Sequence, residues 1–192
     1  MRTFIAIEIP AELKKAIIQQ SASLRRAAGG SVRWVAPENI HLTLKFLGEI
    51  SPSNLEMLTQ TLKTEASQQT PFDIKIETLG AFPNPRRPRV IWVGLDAPPA
   101  LARFQHGLEA ATARLGYPPE DKPFSPHLTI GRVRDQVPAD EMQALRTALE
   151  SAKIGLLGAF TVQAVKLFKS DLLPGGSVYT CLFSVPLGLS PK

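Results

Sequence analysis

The tetrapeptide His41-Leu42-Thr43-Leu44 recurs as His127-Leu128-Thr129-Ile130, a separation of 127 − 41 = 86 residues in a chain of 192. Both copies carry β-branched or leucine residues at alternate positions and have a proline shortly upstream, so each reads as a strand. Side chains alternate across a strand, which puts His41 with Thr43 on one face and Leu42 with Leu44 on the other. The same holds for His127 and Thr129 against Leu128 and Ile130. Each segment can bury its leucines in a core and present an imidazole and a hydroxyl on the opposite face, about 6.5–7 Å apart along the strand. A repeat spaced a little under half the chain predicts two similar lobes, each contributing one such strand.

The rest of the chain fits that plan. Thr3 to Glu8 reads as a strand, Ala11 to Ala28 as a helix stopped by Gly29-Gly30, and Val32 to Val35 as a short extended piece. Ile40 to Leu47 is the first motif strand, and Ser51-Pro52 opens a helix through about Ala66. Phe72 to Leu79 and Arg89 to Leu95 are strands around the proline-rich stretch Phe82 to Pro88. Pro99 to Leu115 is a helix, His127 to Val133 the second motif strand and Pro138 to Glu150 another helix. Phe160 to Phe168 and Ser177 to Val185 form a closing strand pair around Pro174-Gly175-Gly176. The expected fold is α+β: a bilobal arrangement of mainly antiparallel sheet, helices outside and a central cleft. Residues 1–192 are expected to form one domain of two intertwined lobes.

Composition narrows the setting. There are 22 Lys+Arg against 17 Asp+Glu, a net charge of +5, which favours a polyanionic partner. Cys181 is the one cysteine, so neither an intrachain disulfide nor a thiolate zinc cluster can form. No apolar run approaches the ~20 residues of a membrane helix. The signal-like start is interrupted by Glu8 and Pro10 and reads as a first strand. The expectation is a cytoplasmic protein without membrane contact, acting as a monomer.

Two of the three histidines head the repeated segments. Cleavage of a phosphodiester needs a base for the incoming oxygen and an acid for the departing one. Histidine, with an unperturbed pKa near 6.5, serves either role at neutral pH. Thr43 and Thr129 offer hydroxyl donors to non-bridging oxygens. A nearby cation would stabilise the charge that grows in the transition state, with Arg132 and Lys45 as candidates by position.

The chain resembles the two-histidine (2H) phosphoesterase superfamily, and in it the bacterial and archaeal RNA 2′,3′-cyclic phosphodiesterases, also known as 2′-5′ RNA ligases. The resemblance rests on Phe4 to Ile7, Arg33 to Val35, Glu38 to Gly48, Gly80 to Pro83, Pro88 to Trp92, Pro123 to Arg132 and Ser170 to Tyr179. It implies a cleft between two pseudo-symmetric sheets and metal-free hydrolysis of RNA 2′,3′-cyclic phosphate ends to a 2′-phosphomonoester. It further implies His41 as proton donor, His127 as proton acceptor, and Arg132 as the arginine that follows the second motif. Strict alternation from His127 would turn Arg132 to the wrong face, so a bulge is expected, for which Gly131 is suited. The partner implied is RNA with a cyclic phosphate end, tRNA fragments among the candidates, with no cofactor.

Other readings compete at each residue. Two histidines without a neighbouring carboxylate or thiolate make an incomplete metal site, so no metal is expected. His106 reads as a surface residue of a helix. Arg86, Arg87 and Arg89 line an RNA path or a solvated loop, and their role stays open at this level. Trp34, Trp92 and Phe82 read as core, and Cys181 as buried and inert. Ligation through a 2′-5′ bond is the same chemistry reversed. A non-catalytic RNA-binding module would need the basic surface but not both histidines.

Overall fold

The structure is a computed structural model, described for residues 1–174 and 176–188. Nine strands form one sheet: β1 Arg2–Glu8, β2 Val32–Trp34, β3 His41–Glu49, β4 Phe72–Phe82, β5 Val90–Asp96, β6 His127–Val133, β7 Gly158–Val162, β8 Ala164–Leu173 and β9 Gly176–Pro186. The order is β7-β4-β5-β6-β3-β1-β8-β9, every pair antiparallel, with β2 alongside β6. The two motif strands therefore lie side by side at the middle. Four strands on each side (β3-β1-β8-β9 and β6-β5-β4-β7) make two lobes of matching construction, as the repeat predicts. The chain crosses between them, since β4 follows the first motif yet joins the second motif's lobe, and β8 does the converse.

Helices α1 Ala11–Gln20, α2 Ala22–Ala28, α3 Leu55–Ser67, α4 Pro99–Ala113 and α5 Ala139–Ser151 complete the chain. Helix α2 packs on α5, α3 on α4, and α4 against β3. Their buried stripes, such as Leu58 and Leu62 on α3 and Leu101, Phe104 and Leu108 on α4, meet Leu42, Leu44, Leu128 and Ile130 in one core. The helix expected over Ala11 to Ala28 breaks at Ser21, whose hydroxyl bonds back to the Ile18 carbonyl, a contact that bends helices.

Two expectations are corrected. The strand expected over Phe160 to Phe168 is two strands on different lobes. Only Gln163 separates β7, paired with β4, from β8, paired with β1. The closing pair is thus β8 with β9, and Gly175 in its turn lies outside the described residues. Cys181 is exposed rather than buried, because β9 is an edge strand with little packed over it.

Lys45 is the third correction. It faces away from the cleft, 2% exposed, with Nζ donating to Glu109 Oε2 at 2.7 Å and to the Pro118 carbonyl at 2.5 Å. A register shift explains this: Ile5 pairs with Lys45 and Ala6 with Thr43, leaving Leu44 unpaired. The bulge turns Leu44 and Lys45 both inward and returns Phe46 to the His41 face. Gln105 and the Glu120 amide also bond the Glu109 carboxylate, so this buried charge pair has its remaining valences filled.

Removing one partner should leave an uncompensated buried charge. Lys45→Ala is expected to lower unfolding stability by about 3–5 kcal/mol. Lys45→Met combined with Glu109→Gln, which removes both charges, should cost clearly less. Urea denaturation of the two variants checks this.

Candidate active site

Strands β3 and β6 touch at a single bridge, Leu42 opposite Leu128. Both leucines are fully buried, so the opposite face carries the residues on either side of them. Antiparallel register around this bridge sets His41 across from Thr129 and Thr43 across from His127. Paired strands lie about 4.8 Å apart and alternate residues about 6.8 Å along, so the four side chains stand as neighbours on one face. Beyond the bridge the strands part, and β2 fills the fork by pairing with β6.

Each imidazole is held in the same way. His41 Nδ1 lies 2.7 Å from the Asn39 carbonyl, and His127 Nδ1 lies 2.7 Å from the Ser125 carbonyl. A carbonyl only accepts, so Nδ1 carries the hydrogen in both rings. That leaves Nε2 of each ring as the nitrogen free to take or give a proton. The tethers have the same local origin: the carbonyl belongs to the residue two positions before the histidine, in the turn that enters the strand.

The surroundings of the two rings differ. His41 stacks on Phe4 (centroids 4.7 Å, planes 24° apart) and meets Tyr179 edge-on at 5.2 Å, with Phe168 at 6.3 Å. Ala6 sits between Phe4 and Glu8 on this face, and its small side chain leaves room for the stack. Burial pushes the His41 pKa down to about 4, the bond to Asn39 pulls it up, and the Lys14 charge lowers it further. His127 is more open and meets Phe82 edge-on at 5.0 Å. Phe82 in turn lies 5.2 Å from Trp92, whose ring crosses β4 at Gly80. A Cβ at Gly80 would come within 2.3–2.9 Å of that indole, so glycine is needed there.

Arg132 is exposed, and the register of β5 and β6 shifts beneath it: Trp92 pairs with Thr129 and Ile91 with Gly131, leaving Ile130 unpaired. This bulge puts Arg132 on the face of His127 and Thr129. A Cβ on Gly131 would meet Val32 and Trp34 at 2.7–3.0 Å, which is why the bulge carries glycine. The structure thus brings His41, Thr43, His127, Thr129 and Arg132 to one face, and places Lys45 and the exposed His106 elsewhere. The core reading of Phe82 and Trp92 is amended, since both are half-buried beside the cleft. Phe4, Phe168 and Tyr179 around His41 escape a reading of the sequence, because an aromatic in a strand gives no sign of which ring it will meet. No cluster of three or more His, Cys, Asp or Glu among the described residues could hold a metal ion.

The family model described as LigT-like phosphoesterase matches twice, over residues 7–92 and 93–179. The two matches start at the same offset that separates His41 from His127. The chain belongs to the LigT-like phosphoesterase family, within the 2H phosphoesterase superfamily. Among curated relatives, the RNA 2′,3′-cyclic phosphodiesterase of Methanothermobacter thermautotrophicus is 32% identical over 180 residues, covering 94% of this chain and 95% of its own. A crystal structure from Thermus thermophilus superposes with TM-score 0.81 at 30% identity, covering 97% of this chain and 98% of the other. Escherichia coli LigT complexed with 3′-AMP gives TM-score 0.77 at 29% identity over 97% of both chains.

The burial of His41 makes a prediction about its proton. Its ring should stay neutral, Nδ1–H tautomer, down to about pH 4 in the free protein, while an anion bound beside it should raise that value. Because the folded value lies below the ordinary one, this group's contribution to stability should be lost as pH falls from about 6.5 through about 4. Nitrogen-15 NMR titration of the imidazoles, with and without inorganic phosphate, measures both.

Proposed function

We propose that this protein hydrolyses RNA 2′,3′-cyclic phosphate ends to 2′-phosphomonoesters, without metal or cofactor, through His41 and His127. The observation that carries the reading is the mirrored tether: two imidazoles fixed by Nδ1 to the preceding turn, each leaving Nε2 free at the same strand junction. The names of the curated relatives support RNA 2′,3′-cyclic phosphodiesterase activity. Both histidines come from one chain, so a monomer, in a cytoplasmic setting, carries a whole site.

In this mechanism a water attacks phosphorus and gives its proton to His127 Nε2. The bond to the ribose 3′ oxygen breaks as that oxygen takes a proton from His41 Nε2. Thr43 and Thr129 donate hydrogen bonds to the non-bridging oxygens, and Arg132 balances the added negative charge. His41 must be charged to act as the acid. The arriving phosphate supplies the anion that makes its protonated form favourable. The depressed pKa of the free His41 supports a second reading, with His41 as base and His127 as acid.

The test is a short RNA ending in a 2′,3′-cyclic phosphate, assayed with and without excess EDTA, with the product mapped as 2′- or 3′-phosphate. Full activity in EDTA and a 2′-phosphate are expected; loss in chelator restored by a divalent ion would refute the metal-free route. His41→Ala and His127→Ala should each cost about 10²–10⁴-fold, and the double variant less than the product of the two. Arg132→Ala should cost more than Thr43→Ala or Thr129→Ala, since hydrogen bonds to charged groups are the stronger.

A further inference from the structure

Arg33 on β2 stands directly opposite Arg132 on β6, and both are exposed. Like charges in cross-strand register repel, and neither guanidinium has an ion-pair partner among the described residues. The row continues across the sheet: Arg33 pairs with Arg132, Arg132 with Val90, and Val90 with Phe82. Directly paired residues share a face, so this row leads from Phe82, beside His127, to Arg33 on β2. The turn joining Phe82 to Val90 adds exposed Arg86 and Arg87, whose backbone amides donate to Asn84 Oδ1 and whose guanidinia have no ion pair among the described residues. Arg89 has only a loose, solvent-exposed contact with Asp135 at 3.4 Å. Arg134 extends the edge, its Nε on the Gly30 carbonyl.

From this we infer that Arg33, with the Arg86-Arg87-Arg89 turn, is a phosphate-binding rim for the RNA body that lies upstream of the cyclic end. Its occupant is single-stranded nucleic acid backbone, chosen by charge complementarity and by the electrostatic repulsion that a polyanion between Arg33 and Arg132 relieves. The inference rests on the proposed RNA-end activity and names where the rest of that substrate runs. The mechanism uses only Arg132 of this group.

The experiment compares adenosine 2′,3′-cyclic phosphate with an eight-nucleotide RNA bearing the same terminal group, over a range of KCl concentrations. Wild type should lose kcat/KM for the oligomer steeply with salt, at a log–log slope of about −0.7 per phosphate contact, and much less for the mononucleotide. Arg33→Gln and the pair Arg86→Gln, Arg87→Gln should raise KM for the oligomer about threefold to tenfold, reduce its salt slope, and leave kcat and the mononucleotide unchanged. Arg33→Gln should also leave Tm level or higher, since it removes a repulsion. Equal effects on both substrates, no effect on either, or a marked fall in Tm would overturn the inference. If wild type opens neither cyclic phosphate, the proposed activity fails, and fluorescence anisotropy with the same RNA still reads the rim. Weaker binding by Arg33→Gln then supports it, and unchanged binding rejects it.

Discussion

The meeting of Leu42 with Leu128 is the constraint on which the site depends. It is a single bridge between two strands from opposite halves of the chain, buried beneath helices that belong to both halves. Because antiparallel neighbours share a face, fixing two leucines in the core fixes four polar side chains on the other side. Each histidine then faces the other motif's threonine. A longer β3–β6 ladder would close the sheet flat. The parting of the strands after one bridge, with β2 inserted beside β6, gives the concave arrangement that exposes Arg132 beside the motifs. The crossing of β4 and β8 to opposite lobes ties the two halves together, so neither lobe can shift without dragging strands of the other.

A symmetric frame holds an asymmetric chemistry. The two tethers are equivalent, yet His41 is packed among Phe4, Phe168 and Tyr179, while His127 has one aromatic neighbour, Phe82. Burial, aided by the Lys14 charge and opposed by the bond to Asn39, sets a strong preference for neutral His41 in the free protein. An acid and a base acting on one phosphorus must differ in protonation state. Unequal packing makes the matched rings differ, and for His41 to act as the proposed acid the arriving phosphate has to reverse its free-state preference. The same duplication differs just after the motifs. Phe46 occupies in the first lobe the position that Arg132 occupies in the second, and buried Lys45 that of Gly131. One lobe thus presents an aromatic surface where the other presents charge.

Much of this is legible in the sequence because alternation is a strong local rule. The motif strands and the shared face of histidine and threonine follow from it, and the bulge at Gly131 follows once the family resemblance asks for Arg132 on that face. The same bulge lies in the first motif, and there the sequence alone leaves Lys45 as a candidate for the cleft. Nothing local announces that Leu44 goes unpaired; what decides it is the cross-strand register with β1, a long-range property. The division of residues 158–173 into strands on two lobes is hidden for a similar reason, since one residue, Gln163, makes the change without a proline or glycine to mark it. Exposure of Cys181 depends on β9 being at an edge, which only the assembled sheet decides. The aromatic cage of His41 draws on β1 and on the β8–β9 pair at the other end of the chain, so its effect on the imidazole cannot be read from the motif.

The central claim is that the two imidazoles act on one phosphorus from opposite sides, His41 giving a proton and His127 taking one. The most direct measurement compares single alanine variants on RNA cyclic phosphate and on an aryl phosphodiester with an activated leaving group. A good leaving group needs little protonation, so the aryl substrate should restore much of the His41→Ala rate and leave His127→Ala impaired. Restoration of His127→Ala instead would reverse the assignment, and equal failure of both variants would contradict acid–base division between the histidines altogether.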